Sequence, residues 1–300
     1  MALPITEKEI AEKLSIPLRS PILCNSIDHI GFDLAAFKAL INPYFETLPW
    51  DNYDVKRSQY DYLRQHNISF DFDEFKAYYL DNERPTNPEL PEVQPWRRRG
   101  VATYEVELSK DQIDVRIKEA TPFAQEVDTE DIRSLPRTFQ QLPLELVAHE
   151  YLIRFIEYIA LHTQEVTEYA DLKHLELTLH FMGVVAREYQ AGNNSPEGPH
   201  EDGADFIVSA LVMDRENITG GESQIYEKKV DGSLVKVFGH VLQEGEFLYQ
   251  ADTGEEKHYG NDLWHFVTPF HLINSKQPGW RNIIGFDIKI LSLEMTPDLS

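Results

Sequence analysis

Near residue 175 the spacing of apolar positions changes character. Before it, capping residues followed by helical apolar spacing occur over residues 6–14 and 33–40. Over 144–161 apolar residues repeat at i, i+3 and i+4, which predicts helices packed against something larger. Residues 82–95 hold Pro85, Pro88, Pro91 and Pro95; proline fixes φ and lacks an amide donor, so this stretch reads as a surface loop. The first half is therefore expected to be mixed helix and loop.

Beyond 175 the pattern shortens to β-rich runs at 175–186, 206–213, 223–227, 234–242, 246–249 and 282–291. Turn signals such as Thr219-Gly220-Gly221 and Val230-Asp231-Gly232-Ser233 separate them. Six or more strands with short turns predict a mainly β fold of the sandwich or jelly-roll kind, with flanking helices. There is no internal repeat or low-complexity tract. Residues 1–170 are expected to form a helical and mixed extension packing on a β core at 171–300, the two making one structural unit.

A chain of 300 residues can bury a sufficient core without cross-links. Cys24 is the only cysteine, which excludes an intrachain disulfide and cysteine-rich metal sites and suits a reducing compartment. The first 17 residues mix Glu7, Lys8, Glu9, Glu12 and Lys13 with apolar positions, unlike a signal peptide. No apolar run reaches the length of about 18 residues that a spanning helix needs, so the expectation is a cytoplasmic protein with no membrane partner. Aspartate and glutamate outnumber lysine and arginine by 51 to 28, a net charge of -23. That balance repels nucleic acid and leaves a small-molecule substrate as the expected partner. The Arg97-Arg98-Arg99 run is the one basic cluster.

The sharpest chemical signal is His200-Glu201-Asp202, just ahead of the apolar run at 206–213. Side chains in extended chain alternate with period two, so His200 and Asp202 can reach one ion together while Glu201 faces away. A distant histidine would complete two imidazoles and one carboxylate, the facial set of non-haem Fe(II) oxygenases. Catalytic zinc also accepts that set, so the ligands alone do not choose the metal. Among the downstream histidines, His265 lies in an apolar β-prone run, Leu263 to Pro269, where a buried polar ring needs a reason. His258 sits among charged residues, His240 alternates within a strand, and His271 falls at a strand end. Arg281 opens the run at 282–291, and its planar guanidinium suits a carboxylate; the plainer alternative is an edge arginine.

Three stretches carry a family resemblance: Ser195-Pro196-Glu197-Gly198-Pro199-His200-Glu201-Asp202-Gly203-Ala204-Asp205-Phe206, Asn217-Ile218-Thr219-Gly220-Gly221-Glu222-Ser223, and Trp264-His265-Phe266-Val267-Thr268-Pro269. In these the chain resembles the 2-oxoglutarate/Fe(II)-dependent dioxygenases that hydroxylate free amino acids, the isoleucine dioxygenase-like group. The resemblance covers about residues 175–291. It implies a double-stranded β-helix (jelly roll, cupin-like) with Fe(II) on His200, Asp202 and His265, and with 2-oxoglutarate, a co-substrate alongside dioxygen, held by Arg281. It implies oxidative decarboxylation of 2-oxoglutarate coupled to hydroxylation of an aliphatic carbon of a small free amino acid or related metabolite. Retention of Asp202 favours hydroxylation over halogenation. Desaturation or cyclisation of a biosynthetic intermediate, or a non-catalytic metal-binding jelly roll, are the alternatives. Arg97 to Arg99, Tyr104, Arg137 and Arg187 are candidate substrate contacts. A glycine pair that the family carries before the counterpart of Arg137 is absent.

Overall fold

A computed structural model describes residues 22–81, 90–109, 112–118, 135, 139–166, 172–252 and 263–293. The helix expected at 6–14, Arg137 and His258 lie outside the described residues. Five α-helices are described: α1 (Leu34–Thr47), α2 (Asn52–Gln65), α3 (Phe72–Asp81), α4 (Leu144–Val147) and α5 (Glu150–Val166). The described strands are β1 (Ile22–Ser26), β2 (Arg97–Leu108), β3 (Ile113–Lys118), β4 (Leu172–Ala186), β5 (Phe206–Glu216), β6 (Ile218–Gly220), β7 (Ser223–Lys228), β8 (Leu234–His240), β9 (Glu246–Ala251), β10 (Leu263–Val267), β11 (Phe270–Leu272) and β12 (Gly279–Leu293).

The strands form a seven-stranded antiparallel sheet, β1-β9-β5-β12-β4-β2-β3, and smaller sheets β10-β7-β8 and β11-β6. The expected mainly β jelly roll with flanking helices is what forms. α1 and α5 cover one face of the large sheet. Phe37, Ile41 and Phe45 of α1 recur at four-residue spacing and are buried, and Phe45 stacks on Phe181 of β4 at 5.0 Å. From α5, Phe155 packs edge-on to Phe247 of β9 and tilted on Phe286 of β12. Alternation then turns the other residues of those strands, among them Val184 and Arg281, to the opposite face. On that face Trp96, Val184 and Ala186 pack with Ile218 and Phe270 of the β11-β6 ribbon.

Two expectations change. The first half is more than helix and loop, because β1, β2 and β3 belong to the large sheet. The strand β2 was hidden by Arg97-Arg98-Arg99, three charges at its start, although Tyr104, Val106 and Leu108 alternate inward behind them. The helix expected at 144–161 is two, α4 and α5, parted at Ala148, whose amide bonds the Leu144 carbonyl.

Candidate active site

His200 and His265 face each other across an isolated antiparallel bridge. The amide of each donates to the carbonyl of the other, at 3.0 and 2.9 Å, and the ring centroids lie 4.2 Å apart. His265 is carried by β10, which pairs with β7. Asp202 sits in the turn that follows, where Gly203 takes φ +79°. The Asp252 Oδ2 accepts the amides of Asp202 and Ala204 at 3.0 and 3.1 Å, so a carboxylate at the end of β9 fixes this turn. Asp202 Oδ2 lies 3.3 Å from His265 Nε2, and Asp202 Oδ1 lies 3.7 Å from His200 Nε2. One ligand atom from each of the three lies within 4.8 Å of the others. The Gly198 carbonyl, 2.9 Å from His200 Nδ1, favours the tautomer in which Nδ1–H donates to it and the Nε2 lone pair is directed at the cluster. Two imidazole nitrogens and a carboxylate oxygen on one side of a centre fit Fe(II) and leave positions for other ligands.

Arg281 of β12 pairs with Val184 of β4 and Arg215 of β5 and is fully buried. Nη1 donates to Asn194 Oδ1 at 3.4 Å, while Nε and Nη2 are buried without a hydrogen-bond partner among the described residues. Burial, helped by the neighbouring Arg215 charge, pushes the guanidinium down to about 9. A buried charge in that condition is costly, and a carboxylate ligand would offset the cost by pairing with it. Arg215 is already engaged, donating to the carbonyls of Leu242 and Gly220 at 2.9 and 3.1 Å. Gly221, at φ +71°, lies beside the Arg281 stem; a Cβ there would stand 3.7 Å from Cδ, an ordinary contact, so the glycine serves the turn.

The 2OG-Fe dioxygenase family model matches residues 80–287, more than half of the chain. The chain belongs to the 2OG-Fe dioxygenases. Fe(II), 2-oxoglutarate and dioxygen are the reagents of this family, and the structure of this 2OG-Fe dioxygenase brings together a His-Asp-His triad. Solved structures share the fold. A bsmA homolog from Methylobium petroleophilum PM1 aligns with TM-score 0.61 at 14% identity over 95% of this chain and 98% of its own. IDO from Bacillus thuringiensis aligns with TM-score 0.55 at 15% identity over 90% and 91%. No curated protein sequence matches the chain.

In this dioxygenase the cluster is electrostatically tuned for a cation. Burial lowers His265, but Asp202 and then Asp252 and Asp287 oppose it and push the imidazole up to about 9. Burial raises Asp202, and His265 and His200 more than offset it, holding the carboxyl below its usual range. Burial and the Asp202 charge push Asp252 up to about 7. Burial and the neighbouring His265 lower His200. A field that holds a proton on a buried imidazole also favours a divalent ion in its place.

Other residues singled out in the sequence fall elsewhere. Arg97 is buried, 2.7 Å from Asp54 and 3.3 Å from Asp51, and donates to the Asn194 carbonyl. Arg98 lies over Trp50 and donates to the Glu46 carbonyl. Arg99 lies over Phe139. Tyr104 turns to the helix side, its hydroxyl donating to the Val147 carbonyl at 3.0 Å. Arg187 donates to Gln190 and to the Pro95 carbonyl. His240 pairs with Glu246 at 2.8 Å, and His271 is exposed. Sequence reasoning passed over Asn194, Asp252, His180 and Asp287. For Asp287 the signal was available, since it stands an even number of positions from Arg281 along one strand; for Asp252 and Asn194 there was none.

Proposed function

We propose that this protein is an Fe(II)/2-oxoglutarate-dependent dioxygenase that hydroxylates an aliphatic carbon of a small free amino acid or a close relative. His200, Asp202 and His265 are the iron ligands in this reading, and Arg281 pairs with the distal carboxylate of 2-oxoglutarate. The observation that carries it is the pairing of a compact His-Asp-His cluster with a fully buried guanidinium bearing two nitrogens that lack partners among the described residues. A metal-storing jelly roll has use for the first and none for the second. When bound, the iron couples decarboxylation of 2-oxoglutarate by dioxygen to oxidation of an unactivated C–H bond. The chain's own part is positional. Asp252 fixes the turn bearing Asp202, the Gly198 carbonyl orients His200, and Arg281 with Asn194 sets the register of the co-substrate.

The amino acid class rests on the resemblance around His200, Gly220-Gly221-Glu222 and His265. Succinate release should be screened over free amino acids and their cyclic derivatives, with Fe(II) and 2-oxoglutarate present. The expected result is succinate formed together with a hydroxylated amino acid. Under labelled dioxygen, one labelled oxygen should enter succinate and one the product. A silent amino acid panel, with turnover of a peptide or larger metabolite, would overturn the substrate class and leave the iron chemistry in place.

A further inference from the structure

The face of the large sheet that carries Arg281 also holds an acid–base pair outside the contacts assigned above to iron and 2-oxoglutarate. His180 of β4 stands opposite Gly285 of β12, and Asp287 stands opposite Thr178. Both share the face of Arg281 and Val184, because β12 keeps unbroken register with β4 from Gly279 to Ile290. With no side chain at Gly285, the His180 ring leans diagonally to Asp287, Nε2 to Oδ2 at 2.9 Å. The two side chains are 15% and 28% exposed, so the pair is sheltered without being sealed. Among the described residues, His180 Nδ1 is buried and unpartnered, and the His180 bond to Asp287 engages Oδ2 and leaves Oδ1 open.

Its position separates it from the co-substrate pocket. Six residues divide Arg281 from Asp287 along β12, so the two side chains meet different parts of the sheet face. The metal cluster belongs to the Asp287 end, since the amide of Asp205, three residues after Asp202, donates to the Ile288 carbonyl. After Asp202 and Asp252, Asp287 is the third carboxylate whose charge is felt at His265. The neighbouring carboxylates already have other partners. Asp202 is in the cluster, Asp252 holds two amides, Asp205 accepts the Ile290 amide, Glu197 lies by Arg57 and His200, and Glu222 lies by Gln224 and Lys236.

We propose that Asp287, oriented by His180, is the substrate-recognition carboxylate that takes the ammonium group of the amino acid. An ammonium is the complement of a sheltered carboxylate with an open oxygen, and its three donors can satisfy Oδ1 while His180 keeps Oδ2. The proposal rests on the amino acid reading above and assigns which residue enforces it.

The test uses the full chain loaded anaerobically with Fe(II) and 2-oxoglutarate. Binding of L-leucine and other free aliphatic amino acids is compared by calorimetry with that of their deaminated counterparts, 4-methylpentanoate for leucine. The wild type should favour the best-bound amino acid over its deaminated form by at least about tenfold. Asp287→Asn should reduce that preference to within about twofold while 2-oxoglutarate affinity, which reports an intact fold, is unchanged. Should Asp287→Asn lose 2-oxoglutarate binding as well, His180→Gln replaces it, and a preference unchanged there overturns the proposal. A preference that survives in Asp287→Asn also overturns it, leaving the amino acid reading intact. No preference in the wild type, with iron and 2-oxoglutarate still bound, overturns both.

Discussion

Asp252 shows how much of the site depends on a residue that touches no ligand. Its Oδ2 accepts both amides of the turn that presents Asp202. Asp252→Ala would leave two N–H groups seeking new partners, a loss of about 1 to 3 kcal/mol for each group left buried. Partners of this kind set metal affinity by about 10- to 100-fold, so Asp252→Ala should weaken Fe(II) or Mn(II) binding within that range, whereas Asp252→Asn, which keeps an oxygen acceptor, should retain most of it. Competition with a chelating dye measures this, and equal affinity in wild type and Asp252→Ala would contradict the assignment. Asp252 lies 50 residues from Asp202, and nothing local marks it as a partner, so it was illegible in the sequence. That His200, Asp202 and His265 come together was legible because ligand types in a fixed order, one of them in an apolar run, are hard to place as ordinary core or surface residues. For His200 and Asp202 the local geometry differs from the strand that the spacing implied: a bridge followed by a glycine turn brings the two side chains to the same side.

Among the elements, α5 carries a histidine whose packing is sensitive to acid. His162 stacks parallel to Tyr158 and meets the edge of Tyr249 at 4.8 Å, with Nε2 buried and unpartnered among the described residues. Burial lowers its pKa, so the folded state binds a proton less readily than the unfolded chain. The associated stability is present above the ordinary imidazole value and is lost as pH falls below it. Between about pH 7.5 and about pH 5.5, a window spanning that value of about 6.5, His162→Phe should lose less stability than the wild type in urea denaturation. Equal losses would contradict this. The strands of the second half were legible because most alternate cleanly between turn residues. Those of the first half were not, since β1 is only five residues long and the charges of β2 mask its alternation. Arg97 and Arg99 do lie on the face that carries Arg281, but Arg97 is held there by two aspartates around α2, an arrangement visible only once the helix docks.

At the scale of the molecule, the sheet that carries Arg281 takes strands from both halves of the chain, β1 to β3 from the first and β4, β5, β9 and β12 from the second. One face is covered by α1 and α5, and Arg281, His180 and Asp287 stand on the other. The net charge of -23 bears on partners more than on this architecture. No described helix is long and apolar enough to cross a membrane. The most direct test of the assigned site is an anaerobic titration of the Fe(II)-loaded protein with 2-oxoglutarate, followed by visible absorption. Chelation of the iron by the 2-oxo acid should produce a charge-transfer band that saturates near one equivalent in the wild type. His265→Ala should give no band, and Arg281→Met should give one only at much higher 2-oxoglutarate, a loss of about 2 to 5 kcal/mol in binding. A band that forms equally well in all three proteins, or in none, would contradict the assignment of the site.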